Sequence, residues 1–191
     1  MRGAGRVPAE PDFTQVREQR ENLFSAADVE SILLEKGWMD AGAERSEALA
    51  AWAQRAAQLL GPHAGDAAAL ADLLGLIFHY DAAAILREPE SYAVLARKGA
   101  REVIRELALA VLEGPLLDSD GFKSIIARVK ANLHYGSREL FLPLRLALAG
   151  RAGGGELDRV VLLIDAAAAI AALAAVKDTR TRMLEFCVAL D

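Results

Sequence analysis

The chain has 191 residues, which suits one medium-sized domain or two small helical ones with a hydrophobic core. Hydrophobic residues make up 53% of it and aromatic residues only 6%, and runs of alternating β-branched and aromatic residues, typical of strands, are missing. The formal net charge of −5 excludes a general attraction to nucleic acid, so any RNA binding must use a local patch.

In chain order, residues 1–12 combine Gly, Pro and Arg without periodicity, which predicts a disordered start. Apolar residues spaced by three and four then predict an all-α chain. Ser25 and Asp28 form a capping box for a helix that runs through Lys36 and stops at Gly37. The other predicted helices are Phe13–Phe24, Glu44–Leu60, Ala67–Phe78 with Asp66 as its cap, Ala82–Leu86, Glu90–Arg97, Arg101–Leu112, Phe122–Leu133 with Asp118 or Ser119 at its start, Glu156–Ile164, Asp165–Val176 and Thr179–Leu190.

The dipeptide Gly114-Pro115 is the clearest break in this helical pattern. It predicts two packed helical subdomains, residues 13–115 and 116–191. Shared periodicity predicts a core of Trp52, Leu74, Phe78, Val103, Leu107, Phe122, Ile126, Val129, Phe141 and Leu148.

The remaining residue types exclude several kinds of site. The single Cys187 excludes an internal disulfide and a cysteine-based zinc site, which favours a reducing, cytoplasmic setting. The three histidines have no paired spacing, and no Ser, Cys or Lys lies in a nucleophile motif, so we expect no metal, no cofactor and no catalytic residue. The apolar segment Val160–Val176 is short and contains Asp165, which favours buried helices over a membrane span.

The segment Tyr135–Leu157, reading YGSRELFLPLRLALAGRAGGGEL, carries the most specific pattern. Gly136 and Ser137 predict a turn in which the Ser137 hydroxyl caps the next helix. Pro143 fits best in the first turn of that helix, where its missing N–H is not needed. Gly150 ends the helix, and glycines 153–155 let the chain reverse.

Arg145 lies among leucines in this segment, where an unpaired guanidinium would be costly. Two interpretations are open: it pairs with a carboxylate or with helix-end carbonyls to lock two helices together, or it contacts a ligand. We expect a mainly structural role.

These residues resemble the last helical subdomain of bacterial glutamyl-tRNA synthetases. The family pattern Leu-Phe-x-Pro-Leu-Arg-x-Ala-Leu-Thr-Gly-Arg, followed by Gly-Pro-Glu-Leu, is matched at Leu140, Phe141, Pro143, Leu144, Arg145, Ala147, Leu148, Gly150, Arg151, Glu156 and Leu157. Ala149 stands at the usual threonine and Gly155 at the usual proline. The resemblance implies a helical anticodon-binding fold that faces the anticodon arm of a tRNA.

The catalytic motifs of such synthetases have no counterpart in this sequence. It contains no HIGH-like or KMSKS-like motif and no Gly-rich βαβ pattern, so we expect that the chain alone does not activate an amino acid. It would be either a free-standing counterpart of the anticodon-binding part or the tail of a longer enzyme. The Met-Arg-Gly-Ala start favours the first case.

Basic residues cluster between positions 123 and 151, with only Asp120 and Glu139 to offset them before Gly150. Phosphate contact with an RNA backbone is the functional interpretation, and a solvated face is the alternative. The residues predicted to bind tRNA are Lys123, Arg128, Lys130, Arg138 and Arg151. The alternative function is a protein-interaction or regulatory module that has lost RNA binding; the oligomeric state is left open by the sequence.

Overall fold

The structure is a computed structural model that describes residues 21–114 and 116–191. Within these residues the chain forms ten α-helices and no β-strand, which confirms the all-α prediction. One 3₁₀ turn, Gly61–His63, follows the second helix. The helices are α1 (Ala26–Glu35), α2 (Glu47–Leu60), α3 (Ala67–Phe78), α4 (Ala82–Arg87), α5 (Pro89–Leu95), α6 (Ala100–Glu113), α7 (Ser119–Leu133), α8 (Ser137–Ala149), α9 (Glu156–Ala168) and α10 (Thr179–Leu190).

Side-chain caps start several of these helices at the predicted residues. The Ser25 hydroxyl accepts from the Asp28 backbone N–H, while the Asp28 carboxylate accepts from the Ser25 N–H at 2.7 Å, which completes the capping box. The Asp66 carboxylate caps α3 by accepting from the Ala69 N–H, and the Asp118 carboxylate caps α7 by accepting from the Asp120 and Gly121 N–H groups. Gly37 follows α1 with φ +69°, a left-handed conformation that suits glycine.

Two predicted helices near the start of the chain differ from the prediction. One begins at a different residue, and the other lies partly outside the described residues. The Ser46 hydroxyl accepts from the Leu49 N–H, so α2 starts at Glu47 and not at Glu44. Of the predicted helix Phe13–Phe24, residues 13–20 lie outside the described residues, and residues 21–24 are not helical. The Asn22 side chain donates to the carbonyl of Ala57 at 3.1 Å and fixes this segment against α2.

The predicted helix Asp165–Val176 is also wrong. Asp165 lies inside α9, which continues to Ala168, and residues 169–178 are irregular. Their backbone pairs with another segment: Ala174 N–H donates to the Trp38 carbonyl at 2.7 Å, and Asp40 N–H donates to the Ala172 carbonyl at 3.1 Å. An alanine-rich segment has few large side chains to bury, so these non-local bonds prevail over its helix propensity.

The start of α8 differs from the prediction at two residues. Gly136, and not Ser137, occupies the N-cap position, and no side chain caps this helix. Pro143 is buried in the middle of α8 and not in its first turn. A proline there removes the bond that its N–H would have made to the Glu139 carbonyl. The helix nevertheless continues, because its buried face, which includes Leu140 and Leu144, packs against α6 and α9.

A single hydrophobic cluster contains buried residues from both sides of position 115. Seven of the ten predicted core residues are buried, whereas Phe78, Phe122 and Phe141 are partly buried at its edge. Across position 115, α6 packs against α7, α8 and α10, and α2 and α3 pack against α9. The division into two subdomains near residues 114–119 stays a prediction.

Arg182 on α10 is fully buried and has no carboxylate partner. Its guanidinium donates to the carbonyls of Leu76 (3.0 Å), Ile77 (2.5 Å) and Leu148 (2.9 Å), and lies over the Tyr80 ring, 4.7 Å from its centroid. Burial lowers the pKa of Arg182 to about 10. These carbonyls belong to the last turns of α3 and α8, where helical carbonyls lack a partner within their own helix. One side chain on α10 therefore donates hydrogen bonds to the ends of two other helices.

Asp165 is the second buried polar group that joins distant segments. Its carboxylate accepts from the Leu117 N–H at 2.5 Å, from the Thr179 N–H at 2.7 Å and from the Thr179 hydroxyl at 2.9 Å. It therefore fixes the chain before α7 and the start of α10 to the last turn of α9.

Candidate nucleic-acid interface

The arginine of the Pro-Leu-Arg sequence, Arg145, has a well-formed set of partners. Its Nε and Nη2 donate to the two carboxylate oxygens of Asp158, both at 2.7 Å, and its Nη1 donates to the Gly153 carbonyl at 2.7 Å. The side chains of Arg145 and Asp158 are only 14% and 20% exposed. The guanidinium thus joins α8 to the first turn of α9 and to the glycine turn between them, with the bidentate geometry that arginine provides.

The ring of Phe141 contacts two cations, Arg145 on its own helix and Lys130 on α7. This ring is half-buried, and the Arg145 guanidinium lies 5.1 Å from its centroid. The Lys130 ammonium, from α7, lies 5.8 Å from the same centroid. Lys130 makes no ion pair with any described residue and stays exposed. This arrangement presents one free cation on the surface formed by α7 and α8.

Two of the five predicted RNA-binding residues are already ion-paired. Lys123 contacts Asp120 on its own helix at 3.0 Å, and Arg128 contacts Glu113 at the end of α6 at 3.2 Å. All four side chains are more than 45% exposed. Exposed pairs of this kind contribute little to stability and exchange partners readily, so a phosphate can compete for both cations.

Acidic side chains on α6 face α7 and the residues that follow it. The sequence prediction did not include these carboxylates. Glu102 accepts from the Tyr135 hydroxyl at 2.7 Å, and Glu106 accepts from the Asn132 side-chain amide at 2.8 Å. With Glu113 they form a row along the α7 side of α6. Only the packing of α6 against α7 brings these carboxylates to the basic segment, so counting charges within residues 123–151 could not find them.

Arg138 and Arg151 are exposed and make no hydrogen bond or ion pair in the part of the chain that the structure describes. They lie at opposite ends of α8, roughly 20 Å apart at 1.5 Å per residue. Arg138 is in the first turn of α8, three residues before Phe141. Arg151 follows Gly150, whose φ of +79° ends α8 as predicted.

A cleft of about 970 Å³ surrounds Arg151. Carboxylates line the same cleft, from Asp81, Glu88 and Glu90. They lower the local attraction for an anion, so Arg151 is set apart from the other four predicted residues by position and by surroundings. Lys123 and Lys130 are seven residues apart and share one face of α7, and Lys130 reaches the Phe141 ring of α8, one turn after Arg138. Arg128 lies on the side of α7 that faces α6, where it pairs with Glu113, and Arg151 lies at the far end of α8.

The sequence prediction did not include two further basic residues, Lys98 in the turn before α6 and Arg101 in the first turn of α6. Both are exposed. The run Arg97-Lys98-Gly-Ala-Arg101 was the available signal, but it lies outside the basic segment, which begins at Lys123. Only the packed structure brings this turn to the start of α8.

Residues 21–114 and 116–191 were compared with the requirements of a metal site and of a membrane-spanning helix. These residues contain no group of three or more His, Cys, Asp or Glu side chains that could hold a metal ion. None of their helices is long and apolar enough to cross a membrane. The thiol of Cys187 is half-buried, and burial raises its pKa.

Comparison with known proteins supports the resemblance noted in the sequence. The family described as "Anticodon binding domain" matches residues 26–177. A glutamate–tRNA ligase from Carboxydothermus hydrogenoformans is 30% identical over 82 residues, which is 43% of this chain and 17% of that protein. Glutamate–tRNA ligase 2 from Syntrophus aciditrophicus is 32% identical over 84 residues, which is 44% of this chain and 15% of that protein. The chain therefore matches less than a fifth of the length of these relatives. No solved structure matches the chain.

Proposed function

The chain belongs to the anticodon binding domain family, and from that premise we propose that it is a non-catalytic tRNA-binding module. The family match over residues 26–177 is the observation that carries this proposal, and the similarity to two glutamate–tRNA ligases supports it. A reducing cytoplasmic setting, inferred from the single cysteine, suits this function.

The tRNA backbone is proposed to contact the surface formed by α7 and α8. Lys130 and Arg138 offer cations without a carboxylate partner, and Lys123 and Arg128 would exchange exposed carboxylates for phosphates. Arg151 would contact a separate part of the RNA, because it lies at the other end of α8. A −5 protein meets a polyanion favourably only where cations cluster in this way.

The test is the salt dependence of binding to unfractionated tRNA, measured by fluorescence anisotropy. Each phosphate contact contributes about 0.7 to 0.9 to the slope of log affinity against log salt. Replacing Lys123, Lys130 and Arg138 by alanine should flatten the slope by about two. Thermal stability should stay close to that of the parent, because all three side chains are exposed.

The matched control removes three exposed cations elsewhere, Lys36, Arg45 and Lys177, each of which is ion-paired in the structure. This variant has the same net charge as the test variant, so a similar slope in both would show that only the total charge matters. Absence of any tRNA shift at low salt, for protein shown to be folded by circular dichroism, would refute the proposed function.

A protein-interaction module is the second candidate function, and one observation favours it. Large apolar side chains are exposed on α6 and α10, which pack against each other, and on the chain just after α6. They are Leu109, Leu112, Leu116, Leu184 and Val188. Folded protein that does not bind tRNA at low salt would favour this candidate.

The absence of catalysis is part of the first proposal. The matched family is a binding domain, and the two relatives are matched over 17% and 15% of their lengths. Glutamate-dependent exchange between ATP and pyrophosphate by the purified chain would contradict it.

A further inference from the structure

We infer that the phosphate-binding surface continues from α8 onto the turn between α5 and α6 and the first turn of α6, where Lys98 and Arg101 join Arg138. This inference rests on the proposed tRNA binding and adds a second group of residues to it. The five basic residues considered so far lie on α7, on α8 and just after α8, whereas Lys98 and Arg101 belong to a different part of the chain.

A close contact between Gly99 and Tyr135 joins the two parts of this surface. Gly99 has φ +82°, and a Cβ atom at this position would lie 2.3 Å from the Tyr135 ring. Only glycine permits this approach. The Tyr135 hydroxyl donates to the Glu102 carboxylate at 2.7 Å, which fixes the ring over the start of α6.

An ion pair forms a second link between the same segments. Arg97 donates to the Glu139 carboxylate at 3.3 Å, with side chains that are about one-third exposed. Arg138 precedes Glu139 in the first turn of α8, while Lys98 and Arg101 flank Gly99. The two links therefore place Lys98, Arg101 and Arg138 around one contact.

The charges at this contact leave an excess of free cations. Glu139 is occupied by Arg97, and Glu102 accepts from the neutral Tyr135. Lys98, Arg101 and Arg138 are exposed, and none of them has a side-chain hydrogen bond or ion pair within the described residues. Three exposed cations with no local carboxylate partner are the arrangement expected for contacts with successive phosphates.

Arg105 extends the same surface along α6. It lies four residues after Arg101, so the two side chains share one exposed face of the helix, away from the row of Glu102 and Glu106 that faces α7. Arg105 also makes no ion pair with the described residues. The basic face and the acidic row thus lie on neighbouring sides of α6, so the proposed phosphate contacts are confined to the Arg101 and Arg105 side.

The experiment compares tRNA binding by the full chain and by the double variant Lys98→Gln/Arg101→Gln, from about 50 mM to about 200 mM salt. Glutamine keeps the helix propensity of α6 and removes only the charges. The control is Lys36→Gln/Arg45→Gln, which removes two exposed cations in the connection between α1 and α2. A second control exchanges the cations, Lys98→Arg/Arg101→Lys, and keeps the charge.

The expected result is a slope flattened by about 1.5 in Lys98→Gln/Arg101→Gln, with both controls close to the parent. If the parent protein binds tRNA but Lys98→Gln/Arg101→Gln has the same slope as the Lys36→Gln/Arg45→Gln control, this inference is overturned and the proposed function stays intact. A parent protein that binds no tRNA at low salt would overturn both. Equal unfolding temperatures of parent and variants verify that the comparison concerns folded protein.

Discussion

The ion pair between Arg145 and Asp158 allows the structural role of the Pro-Leu-Arg sequence to be tested quantitatively. Arg145→Ala leaves the Asp158 carboxylate, which is 20% exposed, and the Gly153 carbonyl without their donors. Removing one partner of a buried ion pair costs about 3–5 kcal/mol, and the remaining solvent contact favours the lower limit, about 3 kcal/mol. For a chain of this size, the unfolding temperature should fall by about 6–12 °C.

Differential scanning calorimetry of four proteins measures this effect: the parent, Arg145→Ala, Asp158→Ala and the double variant. The cycle should give a coupling energy between the two side chains of about 1–3 kcal/mol. Arg138→Ala is the matched control, because it removes an exposed arginine from the same helix and should change stability by less than about 0.5 kcal/mol. Unfolding of Arg145→Ala at the parent temperature, with loss of tRNA affinity, would show that Arg145 is a ligand contact and would refute the structural interpretation.

The other predictions concern buried polar groups and a cap. Arg182→Met should lower the free energy of unfolding by about 2–4 kcal/mol in urea, because several buried carbonyls lose their donor; an equally stable variant would contradict this. Asp165→Asn should cost about 1–3 kcal/mol by the same measurement, since an amide cannot accept all three hydrogen bonds, and a change below about 0.5 kcal/mol would argue against it. The hydrogen bonds from Ser25 lower the Asp28 pKa, so Ser25→Ala should raise that pKa in an NMR titration; an unchanged pKa would exclude this cause.

The features that were predicted correctly from the sequence depend on residues close together in the chain. The capping box of Ser25 and Asp28, the Asp66 cap and the glycine end of α8 each involve residues that are at most four positions apart. Helical periodicity is local in the same sense, so the fold class and most helix bounds followed from it. The twenty residues around Phe141 and Arg145 carried enough identity to indicate the family, which the match over residues 26–177 confirms.

The wrong or missing predictions depend on contacts between distant residues. Residues 169–178 are irregular because their backbone pairs with residues 38–40, more than 130 positions earlier. The acidic row on α6 and the basic turn before it reach the predicted site only through helix packing. Arg182 shares one face of α10 with Met183 and Phe186, and that spacing was visible, but three of its four carbonyl partners lie 34 to 106 positions away.

Arg182 lies outside the residues that match the family, yet the fold depends on it. The family match ends at residue 177, before α10 begins, yet the guanidinium that α10 carries satisfies the ends of α3 and α8. A fragment cut at the limits of the family match would lose that donor, together with Phe186 from the core. We expect such a fragment to be poorly folded, which cooperative thermal unfolding of residues 26–177 would disprove. Boundaries for expressing this protein in parts should therefore be chosen from its buried hydrogen bonds and not from sequence similarity.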